Sequence, residues 1–237
     1  MAVVRLFPLL STPYTNQPSG WGTGFLTTTL RASSTGTNFG HNGATTSSFR
    51  TGGNWSAVLS AASSSLQNYT PYITIQFGHN DQKPDKNISM DIFTSNLVAF
   101  VQEARAVNAT PILVTSLSRR RFSNSTGKIN QNLADVTLAT KEAARITGAN
   151  LIDLNAASTA YLNAIGPELA ATYNLNPTDF THLNTQGSVL FGNMVAQLLE
   201  EEVPGLKKYV QPMKEVVKAI RKGKYWFPEQ CEGDFCG

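Results

Sequence analysis

Charge is scarce in this chain: charged residues make up 15% of its 237 positions and the formal balance is only +3. A surface this close to neutral supplies no strong field, so nothing in it demands nucleic acid as a partner. Cysteine is scarcer still, with two residues, Cys231 and Cys236, both within the last seven positions. That pair is too sparse for a structural zinc site, and no metal is expected; its simplest use is to close a small terminal loop, which would persist only in an oxidising compartment. No hydrophobic run is long enough to span a membrane, and Met1 to Leu10 is too short for a complete signal peptide. Internal repeats and an evident domain linker are also missing.

What is present suits one core. Hydrophobic residues reach 41% over 237 positions, enough for one well-filled domain and rarely enough for two. Apolar runs at 3–10, 37–41, 71–77, 111–115 and 150–153 read as short strands. Between them, helical spacing appears at 21–30, 56–66, 90–106, 129–146, 158–171 and 186–201. Strand and helix in alternation argue for an α/β fold with parallel pairing. The expected division is a domain over 1–205 followed by a basic extension over 206–237.

Two motifs carry chemistry. In Asp179-Phe180-Thr181-His182 a carboxylate stands three positions before a histidine. Such a carboxylate can accept the Nδ1 proton and turn Nε2 toward a nucleophile, and histidine is the usual general base at neutral pH. The bland rival is a helix start with Asp179 as N-cap. About a hundred residues earlier, the run from Pro71 to Phe77 ends in Gly78-His79-Asn80-Asp81, which puts polar groups at the carboxyl end of a strand, the edge where open α/β sheets bind ligands. His79 and Asn80 have their own rival role in capping a following helix, and Gly43 in serving a turn. A third cluster, Arg119-Arg120-Arg121, follows the fourth strand on the same edge and could meet uronic-acid carboxylates, a solvated loop being its rival.

Taken in order, Ser19-Gly20-Trp21-Gly22, the stretch from Asn42 and Gly43 to Phe49, Gly78-His79-Asn80-Asp81 and Asp179-Phe180-Thr181-His182 resemble the SGNH, or GDSL-like, hydrolases, and within them the rhamnogalacturonan acetylesterase branch. The resemblance covers the chain to about residue 200. It implies a flavodoxin-like three-layer α/β/α sandwich with a five-stranded parallel sheet. It also implies an acyl-enzyme route without a cofactor and, as partner, an acetylated cell-wall polysaccharide, without nucleic acid or membrane; the protein is expected to be a monomer. On that resemblance Asp179 orients His182, and the oxyanion donors are the backbone N–H of Gly43, the Asn80 amide and the N–H of the nucleophile. His79 stands behind the site, and His41 is the weakest of the three histidines.

The nucleophile departs from the family pattern. Ser11 follows the first apolar run, precedes Thr12 and lies ten residues before Trp21, but Leu9 and Leu10 stand where the family has Gly-Asp. Two expectations follow: a serine esterase that removes O-acetyl groups from pectic polysaccharide, or a catalytically impaired relative that binds carbohydrate. An esterase acting on lipid or small aryl esters is a third. Asn-X-Ser/Thr triplets at Asn54, Asn68, Asn87, Asn108 and Asn124 favour a secreted glycoprotein.

Overall fold

A computed structural model describes residues 20–32 and 34–228. The expected first strand, Ser11 and the Cys231–Cys236 loop lie outside those residues. Three parallel strands form the sheet in the order β1 (Tyr72–Ile75), β2 (Thr110–Val114) and β3 (Asn150–Ile152). Ile73 lies opposite Pro111, and Ile112 opposite Asn150. The five-stranded expectation is therefore corrected to three strands among the described residues, and 37–41 is loop rather than strand.

Strand alternation divides the interior into two layers. Ile112, Val114 and Ile152 face one core with Trp21 and Phe25 of α1 (Trp21–Thr28), Tyr161 and Leu162 of α6 (Leu154–Ile165), and the buried face of α8 (Thr185–Glu202). Ile73, Ile75 and Leu113 face the other. There they meet Phe49 of α2 (Thr46–Thr51), Trp55 and Val58 of α3 (Asn54–Ser63), Phe93, Leu97 and Phe100 of α4 (Met90–Ala106), and Val136 of α5 (Ala134–Thr147). The result is the expected α/β/α layering.

Local chemistry explains most element ends. Ser89 caps α4 and Asn184 caps α8, each accepting a hydrogen bond from a first-turn N–H, and Gly148 closes α5 in the left-handed region. The helix expected over 158–171 is two: Gly166-Pro167 breaks it into α6 and α7 (Pro167–Ala171). Described residues past 205 return to the same interior. Leu206, Val210 and Val216, the last on α9 (Lys214–Arg221), are buried in the same core as α8.

Helices α1 and α8 cross with backbone against backbone. A Cβ placed on Gly24 would lie 2.1 Å from the Ser188 carbonyl oxygen, and one on Gly192 would lie 2.2 Å from the Phe25 nitrogen. The Ser188 hydroxyl uses the same proximity, accepting from Gly24 N–H at 2.9 Å and donating to the Gly20 carbonyl at 2.8 Å. Backbone on backbone cannot yield as a flexible side chain can. Gly24→Ala and Gly192→Ala should each destabilise the fold by about 1–3 kcal/mol or more. Urea denaturation measures this, and an unchanged midpoint in either variant would show that the crossing is looser than described.

Candidate active site

The carboxyl ends of β1 and β2 deliver two loops to one edge of the sheet, and the segment between α7 and α8 adds a third. In that third segment the Asp179 carboxylate accepts from the Nδ1–H of His182 at 2.7 Å. Its other oxygen accepts from the backbone N–H groups of Thr181 and His182, each at 2.9 Å. Asp179 is thus not a helix cap, since the cap of α8 is Asn184. Desolvation pushes the Asp179 carboxyl up, but the hydrogen bonds from His182 and Thr181 outweigh it and leave the pKa below the ordinary value. The carboxylate stays ionised, and Nδ1–H donation leaves the Nε2 lone pair free to accept a proton. The His182 side chain is 44% exposed and that of Asp179 23%.

The loop after β1 turns at Gly78 without starting a helix, which removes the capping role considered for His79 and Asn80. The Asn80 amide donates to the Ala44 carbonyl at 3.2 Å, so Asn80 and the Gly43 turn are neighbours. One amide hydrogen remains for another acceptor. Gly43 sits at φ +77°, exposed, with open space where a side chain would begin.

Asp81 locks these two loops together. Its fully buried carboxylate accepts from the N–H and the hydroxyl of Thr46, both at 2.7 Å, and from Gly78 N–H at 3.1 Å. Burial pushes its pKa up, and the bonds from Thr46 and Gly78 oppose that. The motif was visible in the sequence, yet this role for Asp81 was not. The available signal was an acidic residue closing the Gly78-His79-Asn80-Asp81 motif that follows a buried strand.

His79 is half-buried, and its Nε2–H donates to the Leu117 carbonyl at 2.9 Å. Burial first, then the Arg119 charge, lowers its pKa to about 3 against the opposing hydrogen bond to Leu117. It is neutral at ordinary pH and contacts neither Asp179 nor His182 through a hydrogen bond among the described residues. His41 is exposed, and its ring lies tilted at 60° to that of Phe49 with centroids 6.0 Å apart.

The three arginines part company. Arg120 is 2% exposed; it donates through Nε to Asn174 Oδ1 and through Nη2 to the His182 carbonyl, both at 2.6 Å. Its backbone N–H also binds the Phe180 carbonyl at 2.9 Å. Burial lowers its pKa to about 10, with the Asp179 charge acting in the other direction. Arg120 thus clamps the Asp179–His182 segment through Nε, Nη2 and its backbone N–H, and its buried Nη1 has no partner among the described residues. It is absent from the cleft lining where a substrate contact was expected. Arg119 and Arg121 instead line a cleft of about 540 Å³ beside that segment, together with Phe180 and Thr181. Among the described residues no group of His, Cys, Asp and Glu is arranged to hold a metal ion, and no helix is long and apolar enough to cross a membrane.

Comparison with known proteins bears on this geometry. A family model described as GDSL-like Lipase/Acylhydrolase matches residues 12–190. Rhamnogalacturonan acetylesterase RhgT of Bacillus subtilis is 34% identical over 142 residues, covering 55% of this chain and 61% of that protein. Probable rhamnogalacturonan acetylesterase YesY of the same organism is 28% identical over 137 residues, covering 55% and 62%. The chain thus spans about three-fifths of the length of these curated relatives. Among solved structures, a Bacillus subtilis protein is similar at TM-score 0.60 and 26% identity over 69% of this chain and 45% of that one. Axe2, an acetylxylan esterase from Geobacillus stearothermophilus, shares the fold at TM-score 0.55 and 19% identity, over 78% and 80%.

Two outcomes should follow from the buried groups. Asp81→Ala would leave the Thr46 and Gly78 donors unpaired in a dry place, so it should lower stability by at least about 1–3 kcal/mol; wild-type stability in chemical denaturation would refute the staple. For His79 the folded pKa lies below that of the unfolded chain, so its contribution is full above the unfolded value, near 6.5 for histidine, and is lost as pH falls toward about 3. The loss of melting temperature across that window should be shallower in His79→Gln, and an identical slope would assign the acid sensitivity elsewhere.

Proposed function

The chain belongs to the GDSL-like lipase/acylhydrolase family, and we propose that it hydrolyses O-acetyl esters of a polysaccharide, most specifically of a pectic chain such as rhamnogalacturonan. The observation that carries the reading is the Asp179–His182 pair, bonded at 2.7 Å on the carboxyl edge of the sheet beside the Asn80 and Gly43 loops. The names of the curated relatives support the polysaccharide acetyl ester as substrate. In this reading Ser11 Oγ attacks the acetyl carbonyl while its proton passes to His182 Nε2. Asp179 holds the ring and stabilises the imidazolium without taking the proton. The tetrahedral oxyanion draws on the N–H groups of Ser11 and Gly43 and on the remaining Asn80 amide hydrogen. Collapse breaks the bond to the sugar oxygen, which receives the proton from His182. Water then repeats the cycle on the acetyl-enzyme and releases acetate.

A second reading rests on Leu9 and Leu10, which replace the Gly-Asp of the family's nucleophile motif. An apolar side chain offers no acceptor to the surrounding loops, and a chain impaired in this way would bind acetylated carbohydrate without turning it over. Extracellular residence is also part of the proposal, supported by acceptor triplets whose asparagines at 68, 87, 108 and 124 are exposed.

Acetate release from acetylated pectin decides between the readings. Removing the base in His182→Ala should lower the rate by about a hundredfold or more. Restoring the motif with Leu9→Gly and Leu10→Asp should raise it, and adding Ser11→Ala to that variant should abolish it. A folded His182→Ala protein with undiminished turnover would refute the assignment of the base. No release from a well-folded Leu9→Gly/Leu10→Asp protein would favour the binding-only reading.

A further inference from the structure

The cleft beside the Asp179–His182 segment holds two cations, Arg119 and Arg121, neither of which forms an ion pair among the described residues. Arg119 spends Nε on the Thr181 hydroxyl at 3.2 Å and Nη2 on the His79 carbonyl at 3.0 Å, while among the described residues its Nη1 has no protein partner. The Arg121 guanidinium lies over the Phe180 ring, 5.2 Å from its centroid, and forms no ion pair among the described residues. The lining contains one acidic residue, Asp179, and both its oxygens are already engaged by Thr181 and His182. Burial lowers the Arg119 pKa, and repulsion from Arg121 lowers it further, which marks the two as close like charges. Polar amide groups of Asn132 and Asn176 complete the wall.

We propose that Arg119 and Arg121 form a carboxylate subsite that seats a uronic-acid residue of the polysaccharide next to the acetylated sugar held at His182. This rests on the esterase reading above and deepens it by assigning the part of the site that reads substrate charge. Three features support the assignment. A cleft of about 540 Å³ falls within the range of ligand sites. Guanidinium groups match a carboxylate in shape and bind it more strongly than neutral donors do. Arg119 is held in place by its bonds to Thr181 and His79, so little side-chain freedom is lost when the anion arrives. A neutral chain such as xylan would leave the two cations facing each other uncompensated, so the subsite selects by charge as well as by shape.

The test uses one acetylated uronate-containing oligosaccharide and its carboxyl-reduced form, which keeps the acetyl groups and loses the charge. For the full chain, kcat/KM for acetate release should be at least about tenfold higher on the acidic form, and the preference should shrink as salt is raised. Arg121→Glu should abolish or invert the preference, and Arg119→Gln should reduce it. Binding of the deacetylated acidic and reduced oligosaccharides, measured by calorimetry on the same proteins, should show the same order. Equal rates on both forms in the wild type, with acetate released from each, would overturn the subsite and leave the esterase reading standing. If neither form releases acetate the esterase reading falls, and calorimetry still decides the subsite: tighter binding of the acid that Arg121→Glu removes upholds it, and indifferent binding overturns it.

Discussion

A carboxylate with no exposed surface and no ion-pair partner among the described residues sits where two loops of the site meet. Asp81 could not be left in that position unbonded, because an unpaired buried charge is strongly unfavourable. It is tolerated through three donors, two on Thr46 and one on Gly78, and those donors come from the two segments that must be aligned. Thr46 opens α2, three residues after Gly43, and Gly78 lies two residues before Asn80. The position of the Gly43 N–H relative to the Asn80 amide is therefore set by the Asp81 side chain together with the Asn80 bond to the Ala44 carbonyl. Gln76 makes a similar link one step earlier in the chain. It accepts from the Trp21 indole at 3.1 Å and donates to the Thr115 carbonyl at 3.0 Å, tying α1 and the end of β2 to the end of β1. Such directional links hold a loop in one arrangement, which apolar packing alone would not do.

The arginine run shows how local backbone geometry assigns different tasks to identical residues. The chain bends at Arg120, between the other two. Arg120 enters the protein and grips the His182 carbonyl, while Arg119 and Arg121 remain at the cleft. The His182 carbonyl also accepts from Leu175 N–H at 3.0 Å. Arg120 is in turn held by Asn174, and Asn174 forms a β-bridge with Leu183. The histidine is thus fixed from its backbone, and among the described residues the ring is held by its hydrogen bond to Asp179. This division suits a base whose ring must remain reachable while its anchor does not move.

Periodic segments were legible in the sequence because one property, burial of one face, sets both spacing and structure. The helix read from Met90 to Ala106 has those ends, and the strands read at 71–77, 111–115 and 150–153 are present with ends within two residues. α2 escaped notice because Thr46-Ser47-Ser48-Phe49-Arg50-Thr51 has one large apolar residue and no period. It is nucleated instead by a capping box between Thr45 and Ser48. Residues 37–41 read as strand from composition, yet a strand is defined by its ladder and composition cannot supply one. In the site, Asp179, His182 and Asn80 could be picked out as residue types at informative spacing. The roles of Asp81 and Arg120 could not, since both depend on partners more than thirty residues away along the chain.

The two halves of the site meet water differently, and this bears on how a polymer would be handled. The Asp81 staple is dry, so its hydrogen bonds are strong and the loops it joins need not reorganise as charge develops. The His182 ring is 44% exposed, so its interaction with a developing charge is weakened by solvent until something covers it. No described side chain closes over it, and a polysaccharide lying along the open cleft would supply that cover itself. Contacts to sugars beside the ester would then contribute to rate as well as to binding, because by excluding water they strengthen the field at the reacting carbonyl. On the esterase reading, an open edge above the Asp81 staple would make the length and charge of a bound chain part of the catalytic apparatus, which a small aryl ester could not provide.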